Sequence, residues 1–176
     1  MGQLSFVSPL YVGLLAWSEL VANSSRWLSA DVTASTPMKN SWAHATLSTT
    51  AMEPTACTVL RVLVIAKDDP GAVPSTSMKD DIAVTVHVPN AVLSNPRAQA
   101  RLLHLTAPRL SSKSDIIWAG QSWGNRSWSS KDGRPKGTRT ADVVVAQTSG
   151  LYAFTLPQLS AAILVVEDCS GTVQLE

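Results

Sequence analysis

Glutamates, which could perform acid–base chemistry, are few in this chain and far apart. Catalysis by paired carboxylates requires two such groups within roughly 5–10 Å of each other. Of the four glutamates, Glu19 lies in a predicted helix, Glu53 in a linker, and Glu167 and Glu176 near the C-terminus. These positions offer no paired acid and base, and the sequence predicts no catalytic residue.

The three histidines give no metal-binding pattern either. His44, His87 and His104 are widely spaced, and each lies on a predicted strand. Zinc sites use ligands at closer, recurring spacings. The sequence contains no Gly-x-Ser-x-Gly nucleophile motif and no glycine-rich phosphate loop. We therefore expect no bound metal and no cofactor.

Tryptophans suggest binding chemistry instead. Trp118, Trp123 and Trp128 are close in sequence and could form a platform for the apolar face of a sugar ring. The segment 123–139 also carries five basic residues, a composition that can bind single-stranded nucleic acid or an anionic glycan: Arg126, Lys131, Arg134, Lys136 and Arg139. The alternative, which we favour for this segment, is a solvated loop whose tryptophans pack against the domain.

Length and composition describe one globular domain. A chain of 176 residues can bury one sizeable core. Its 45% hydrophobic and 15% charged residues, with many Val, Ser, Thr and Ala, fit a β-rich and often secreted domain. A net charge of +1 gives no overall attraction to nucleic acid or to anionic membranes. No run of about eighteen apolar residues is present, so we expect no membrane span.

The N-terminal segment predicts one amphipathic helix. Ser8 can cap it, and Pro9 fits the first helical position, where its missing N–H costs nothing. Apolar residues then fall on one face at i, i+4, i+7 and i+11: Leu10, Leu14, Trp17 and Val21. The first basic residue is Arg26, so the apolar stretch 6–17 lacks the basic start of a signal peptide.

The rest of the chain predicts short strands separated by polar turns. Candidate strands are residues 27–33, 43–49, 59–67, 82–88, 98–106, 116–118, 143–147, 151–156 and 161–166. Residues 59–67 are apolar on both faces apart from Arg61, which predicts a central strand. Seven to nine short strands at this spacing favour an all-β fold, an antiparallel β-sandwich with one N-terminal helix.

Three segments resemble glycoside hydrolase family 79, the β-glucuronidase and heparanase-like enzymes. Residues 98–123, with Leu-Thr-Ala-Pro-Arg-Leu followed by Trp-Ala-Gly-Gln-Ser, resemble an "RLxAPxL" strand and "xWxGQS" turn of the C-terminal β-domain. Residues 61–68, ending in Ala-Lys-Asp, resemble its "RVVLxNKD" strand. Residues 8–20 resemble the "PLYYGLLxFxE" run of the last barrel helix in the same family.

The resemblance covers roughly residues 8–167 and implies a non-catalytic role. Residues 1–22 would be a barrel-type helix, 23–170 the β-sandwich and 171–176 a tail. The domain would brace a catalytic (β/α)8 barrel that lies outside this chain, and no catalytic residue carries over. Trp17, Trp27 and Trp42 would then pack against the barrel. The alternative is a free-standing carbohydrate-binding module that uses the tryptophan platform.

Cysteines and sequons bear on the compartment. Cys57 and Cys169 are an even pair near predicted strand ends, and a disulfide between them is geometrically feasible. Asn23 and Asn125 begin N-glycosylation sequons in predicted surface segments. The resemblance implies an extracellular parent enzyme, whereas the absence of a convincing signal peptide leaves the location of this chain open.

Overall fold

The structure, a computed structural model, describes residues 9–22, 26–28, 32–34, 41–52, 55–66, 81–89, 91–93, 95, 97–108, 115–122, 135–157 and 160–172. One helix, α1 (Pro9–Val21), precedes eleven strands in this described part: β1 (Arg26–Leu28), β2 (Val32–Ala34), β3 (Ser41–Met52), β4 (Thr55–Ala66), β5 (Ile82–His87), β6 (Ala100–Thr106), β7 (Ile117–Trp118), β8 (Gln121–Ser122), β9 (Asp142–Val144), β10 (Leu151–Leu156) and β11 (Ala161–Thr172). None of the described segments forms a helix long and apolar enough to cross a membrane.

The strands form two antiparallel sheets. The large sheet has the order β1-β3-β4-β11-β6-β7-β8, and β9 also pairs with β6. The small sheet has the order β10-β5-β2. β3 and β4 pair along their whole length, from Ser41 opposite Ala66 to Met52 opposite Thr55. The chain is therefore an all-β antiparallel sandwich with one short helix, which confirms the predicted fold class.

The inner core lies between the two sheets. In β4, Leu60, Val62 and Val64 point towards the small sheet and are at most 3% exposed. Leu164 and Val166 of β11 also point towards the small sheet. They pack against the inward-facing residues of β5 and β10: Ile82, Val84, Val86, Tyr152 and Leu156. Alternation along each strand places every second side chain in this layer.

An outer core lies on the opposite face of the large sheet. Leu63, Leu103, Ile163 and Val165 point outward there, yet each is at most 6% exposed because α1 covers them. β4 and β11 are thus buried on both faces, as the nearly continuous apolar run of residues 59–67 predicts for a central strand. Trp118 of β7 closes one side of this layer.

The apolar residues predicted to share one face of α1 are not the ones that pack on the sheet. The helix begins at Pro9, as predicted, but it packs on the sheet through Val12, Ala16 and Leu20, which are at most 5% exposed. Residues two positions apart on a helix point about 200° away from each other. Leu14 and Trp17 therefore point away from the sheet and are 53% and 45% exposed. The small Ala16 at the contact allows the helix to approach the sheet closely.

The predicted strand 27–33 is also corrected, because the chain changes sheets inside it. β1 pairs with β3 at the edge of the large sheet, with Trp27 opposite Thr46. β2 pairs with β5 in the small sheet, with Thr33 opposite Thr85. Two short strands in different sheets thus replace one strand, and residues near the N-terminus join both layers.

The turn between β7 and β8 depends on a left-handed backbone. Ala119 and Gly120 have φ values of 48° and 79°, the pair of positive angles that a tight two-residue hairpin requires. A Cβ on Gly120 would lie 2.4 Å from Thr140 Oγ1 and 2.7 Å from the Thr138 carbonyl oxygen. Only glycine fits there. The glycine of the family-like turn motif is therefore a requirement of backbone shape.

A disulfide joins the two central strands where they leave the core. Cys57 of β4 is bonded to Cys169 of β11, across 112 positions of sequence. Cys169 lies beside a register shift between Asp168 and Gly171, opposite the first residues of β4. The bond closes a loop that contains β5 to β10 and most of β4 and β11, whereas β1, β2 and β3 lie outside it.

Tyr152 is the largest fully buried side chain of the inner core. Its hydroxyl donates a hydrogen bond to the Ala98 carbonyl oxygen at 2.9 Å. Burial raises the pKa of Tyr152 above its usual 10.0, and the negative charge of Asp168 raises it further. Asp168 is itself 3% exposed and accepts a hydrogen bond from the Asn95 backbone N–H at 2.7 Å.

We expect Trp118→Ala to lower the free energy of unfolding by about 3–5 kcal/mol, because it removes a buried indole and leaves a cavity. Urea denaturation of the variant measures this loss. Trp27→Ala is the matched control, since Trp27 is 56% exposed and its loss should cost about 1 kcal/mol or less. Equal losses in the two variants would contradict the placement of Trp118 in the outer core.

Loss of the disulfide should lower the free energy of unfolding by about 2–5 kcal/mol, because the bond restricts the unfolded chain over a long loop. The double variant Cys57→Ala, Cys169→Ala and the reduced wild type should unfold at the same denaturant concentration. The double variant should not respond to reductant. A wild-type protein that is equally stable with and without reductant would show that the bond does not stabilise the fold.

Stability should fall at high pH through Tyr152. Since the pKa of Tyr152 is higher in the folded chain than in the unfolded chain, its stabilising contribution is complete below pH about 10 and is lost as the pH rises through the folded-state pKa. Tyr152→Phe should make the alkaline loss of stability shallower between pH 9 and 11. At pH 7 the variant should be about 1–3 kcal/mol less stable, because the Ala98 carbonyl loses its donor. Identical alkaline slopes would contradict this.

Candidate functional site

Of the three tryptophans of the predicted sugar platform, only Trp118 lies within the described residues. Trp118 is 4% exposed and packs in the outer core, so its ring has no face open to a ligand. Trp123 and Trp128 lie outside the described residues, as do the sequon residues Asn23 and Asn125. Trp118 therefore cannot offer an open ring face to the predicted platform.

Two indoles, one imidazole and one leucine form an exposed cluster elsewhere. We call it the aromatic patch: Leu14, Trp17, Trp27 and His44. The ring centroids of Trp17 and Trp27 are 5.5 Å apart with the planes tilted by 32°. His44 meets Trp27 edge-on, at a centroid distance of 6.5 Å and 85° between the planes. Leu14, Trp17 and Trp27 are 45–56% exposed.

Two secondary-structure elements position this patch. Trp27 lies on β1, at the edge of the large sheet, directly opposite Thr46 of β3. Thr46 is fully buried, and its hydroxyl donates a hydrogen bond of 2.5 Å to the carbonyl oxygen of Leu20 in the last turn of α1. That carbonyl is one of those a helix end leaves without an internal partner. The bond fixes the end of α1 beside β1, and Trp17 then reaches Trp27.

A second contact fixes the position of the helix. Glu19 accepts a hydrogen bond from Arg139 Nη2 at 2.7 Å. Arg139 belongs to the predicted basic segment, whose described part, residues 135–140, is exposed. One basic residue of that segment thus serves the packing of α1 and is not directed at a ligand.

Arg61 lies close to the patch and is incompletely bonded. It follows Trp27 and Thr46 in a cross-strand row, so all three side chains point to the outer face. Its Nη1 donates to the hydroxyl of Ser48 at 3.0 Å. Its Nε is buried and has no acceptor within the described part of the chain. A buried donor without an acceptor is uncommon and costs free energy.

The other candidate acid–base residues are dispersed. Glu167 accepts a hydrogen bond from Arg101 on the outer face of the large sheet, away from Glu19. Glu53 and Glu176 lie outside the described residues. His44 and His87 are exposed on different sheets. No two of the described glutamates or histidines come together as a catalytic pair.

An open groove of about 570 Å³ runs between β6, β9 and β10. His104 Nε2 lies 3.1 Å from Asp142 Oδ2 at its floor, and Asp81 and Phe154 contribute to its walls. Asp142 is 74% exposed in its side chain, so water screens this pair strongly. The polar lining of the groove also includes the hydroxyl groups of Thr106 and Thr155.

The physical character of the aromatic patch is that of a contact surface. Two indoles at about half exposure leave on the order of 200 Å² of apolar surface in water. This area is below that of the largest apolar patch on a typical soluble domain, about 300–600 Å², so the pairing of two exposed indoles and not the area distinguishes the patch. The sequence carries the signal in Trp17 and Trp27, which were expected to pack against another part of the protein. It carries no signal for the unsatisfied Nε of Arg61.

Comparison with known proteins places the sandwich in a family. The comparison with curated protein sequences finds no significant match. The family model described as "Glycosyl hydrolase family 79 C-terminal beta domain" matches residues 51–163, which is nearly two thirds of the chain. The match begins at the end of β3, continues through β4 and the family-like turn at Gly120, ends within β11 and does not include α1. The chain therefore belongs to the family of glycosyl hydrolase family 79 C-terminal β-domains.

Proposed function

We propose that this chain is the accessory β-domain of a β-glucuronidase-like glycoside hydrolase and that it braces a catalytic (β/α)8 barrel. The observation that carries the proposal is the position of α1. This helix lies outside the family match, yet it covers the outer face of the large sheet with Val12, Ala16 and Leu20. A β-domain that needs a helix on this face fits an enzyme in which the sandwich stands against helices of a second domain.

The exposed side of α1 supports the same role. Leu14 and Trp17 point away from the sheet, and each large apolar side chain left in water forgoes roughly 1.5–3 kcal/mol of burial. Neighbouring barrel helices would cover these residues, since a helix that is apolar on two sides is typical of one packed between layers. The role assigned to this chain is structural, and the hydrolytic residues belong to the barrel.

A free-standing carbohydrate-binding module remains the competing function. Its platform would need at least two indoles with open faces, and Trp118 does not provide one. The groove at His104 offers polar groups but no exposed tryptophan among its described walls. The packing of α1 favours the accessory role over the module.

We also propose that the protein matures in an oxidising compartment, as expected for an extracellular enzyme. The support is the bond between Cys57 and Cys169, since disulfides form and persist in secretory and extracellular environments.

The proposed function predicts assembly with a barrel. Purified chain should not hydrolyse 4-nitrophenyl β-glucuronide. Mixed with a family 79 catalytic barrel produced without its own β-domain, it should form a 1:1 complex in size-exclusion chromatography with light scattering. It should also raise the melting temperature of that barrel, because the complex removes apolar surface of both partners from water. A (β/α)8 barrel from a family without such a domain is the control.

Failure to bind any family 79 barrel, together with retention of the chain on a glucuronic-acid-containing polysaccharide resin, would contradict the accessory role. That pair of results would make the carbohydrate-binding module the better description.

A further inference from the structure

We infer that the aromatic patch and Arg61 form one docking surface for the catalytic barrel, and that the barrel supplies a carboxylate to Arg61. This inference rests on the proposed function and adds to it the surface and the chemistry of the partner. It joins two independent observations, an exposed apolar cluster and an unsatisfied cation, that lie on the same face of the same sheet.

The charge of Arg61 is the first reason to expect a carboxylate from the partner. A guanidinium carries five N–H donors in a planar fork, and the edge formed by Nε and Nη2 matches a carboxylate. In Arg61 the Nη1 is used by Ser48, whereas Nε has no acceptor among the described residues and is shielded from water. The nearby described carboxylates are committed elsewhere, Glu19 to Arg139 and Glu167 to Arg101.

The position of Arg61 beside the aromatic patch is the second reason. Thr46, its direct partner across β3 and β4, holds the last turn of α1, so Arg61 lies at the C-terminal end of that helix. Trp27 lies on the other side of Thr46 in the same row. Although its Nε is buried, Arg61 as a whole is partly exposed, so a partner that covers Trp27 and Trp17 can also approach the rest of its guanidinium. Tryptophan and arginine are the residues most enriched among those that dominate the binding energy at interface centres.

The shape of the patch favours a protein over a sugar. A pyranose ring packs on an open and flat indole face. Here Trp17 and Trp27 are stacked at a tilt of 32°, so each uses one face on the other, and the edge of His44 contacts Trp27. The result is a ridge of rings. Ridges fit between the side chains of neighbouring helices, which is how packed helices contact each other.

The test measures affinity for the family 79 barrel of the assembly experiment with four variants. Trp17→Ser and Arg61→Met should each weaken the complex by about 30-fold or more in isothermal titration calorimetry, as loss of a central interface residue does. Two controls should stay within about twofold of wild type. Val145→Ser alters an equally exposed apolar residue on the far edge of the large sheet. Arg101→Met removes an arginine of the same row that already has its carboxylate.

Arg61→Met has a second readout that separates docking from folding. In the isolated chain the variant should unfold at the same temperature as wild type or a higher one, because it replaces an unpaired, partly buried charge with an apolar side chain. Weaker docking with unchanged or higher stability supports the inference. Weaker docking that only follows a lower melting temperature overturns it.

The remaining outcomes are also decisive. If the wild-type chain binds the barrel and both Trp17→Ser and Arg61→Met bind equally well, the docking surface is wrong while the accessory role stands. Equal losses for Arg61→Met and Arg101→Met overturn the carboxylate assignment, because general positive charge would then explain binding. If the wild type ignores the barrel but binds a glucuronic acid oligosaccharide through Arg61 and Trp27, both proposals fail in favour of an anionic glycan site.

Discussion

β4 and β11 carry apolar side chains on both of their faces, and a sheet built around two such strands must be covered twice. The small sheet covers one face with β5 and β10. It contributes three strands, and its position on the inner face leaves Leu63, Ile163 and Val165 on the other face still to be shielded. Most of the architecture follows from this requirement, because α1 is the element that completes the second cover.

The same requirement explains why the aromatic patch exists. A helix that covers a sheet with Val12, Ala16 and Leu20 has its remaining apolar residues on the far side. Leu14 and Trp17 therefore form an apolar surface on the side of α1 that faces away from the sheet. The outer core is thus continuous, through α1, with the surface at which a second domain is proposed to dock. Bonds that hold α1 in place, from Thr46 and Arg139, are accordingly bonds that shape this surface.

Local pattern predicted the central features of the fold well. The all-apolar run of β4 and the alternation of β5 each depend on neighbours in sequence, and each is where it was expected. The helix start at Pro9 also depends on local chemistry. The choice of which side of α1 packs on the sheet does not depend on local chemistry. Both of its sides are apolar, so periodicity could not decide between Leu14 with Trp17 and Val12 with Leu20. Contact with Leu63 and Ile163, which are distant in sequence, determines which side of the helix is buried.

The features that sequence reasoning missed are those set by long-range register. The split of the strand 27–33 depends on partners in β3 and β5. The unsatisfied Nε of Arg61 depends on Ser48, on the opposite strand of a hairpin, and on where the helix ends. For the same reason Trp118 was a candidate for sugar binding by sequence spacing alone, although its position beneath the turn encloses it.

The strand order has a consequence for how the protein is made. β11, the last of the described strands in sequence order, lies in the middle of the large sheet between β4 and β6. During translation β4 and β6 can each form with an open edge, but they cannot join through β11 until residues 161–172 leave the ribosome. Such non-local pairing is slow, and unpaired strand edges expose the nascent chain to aggregation. Truncation before Ala161 would therefore remove the centre of the large sheet together with Cys169, the disulfide partner of Cys57, although the other described strands would be intact.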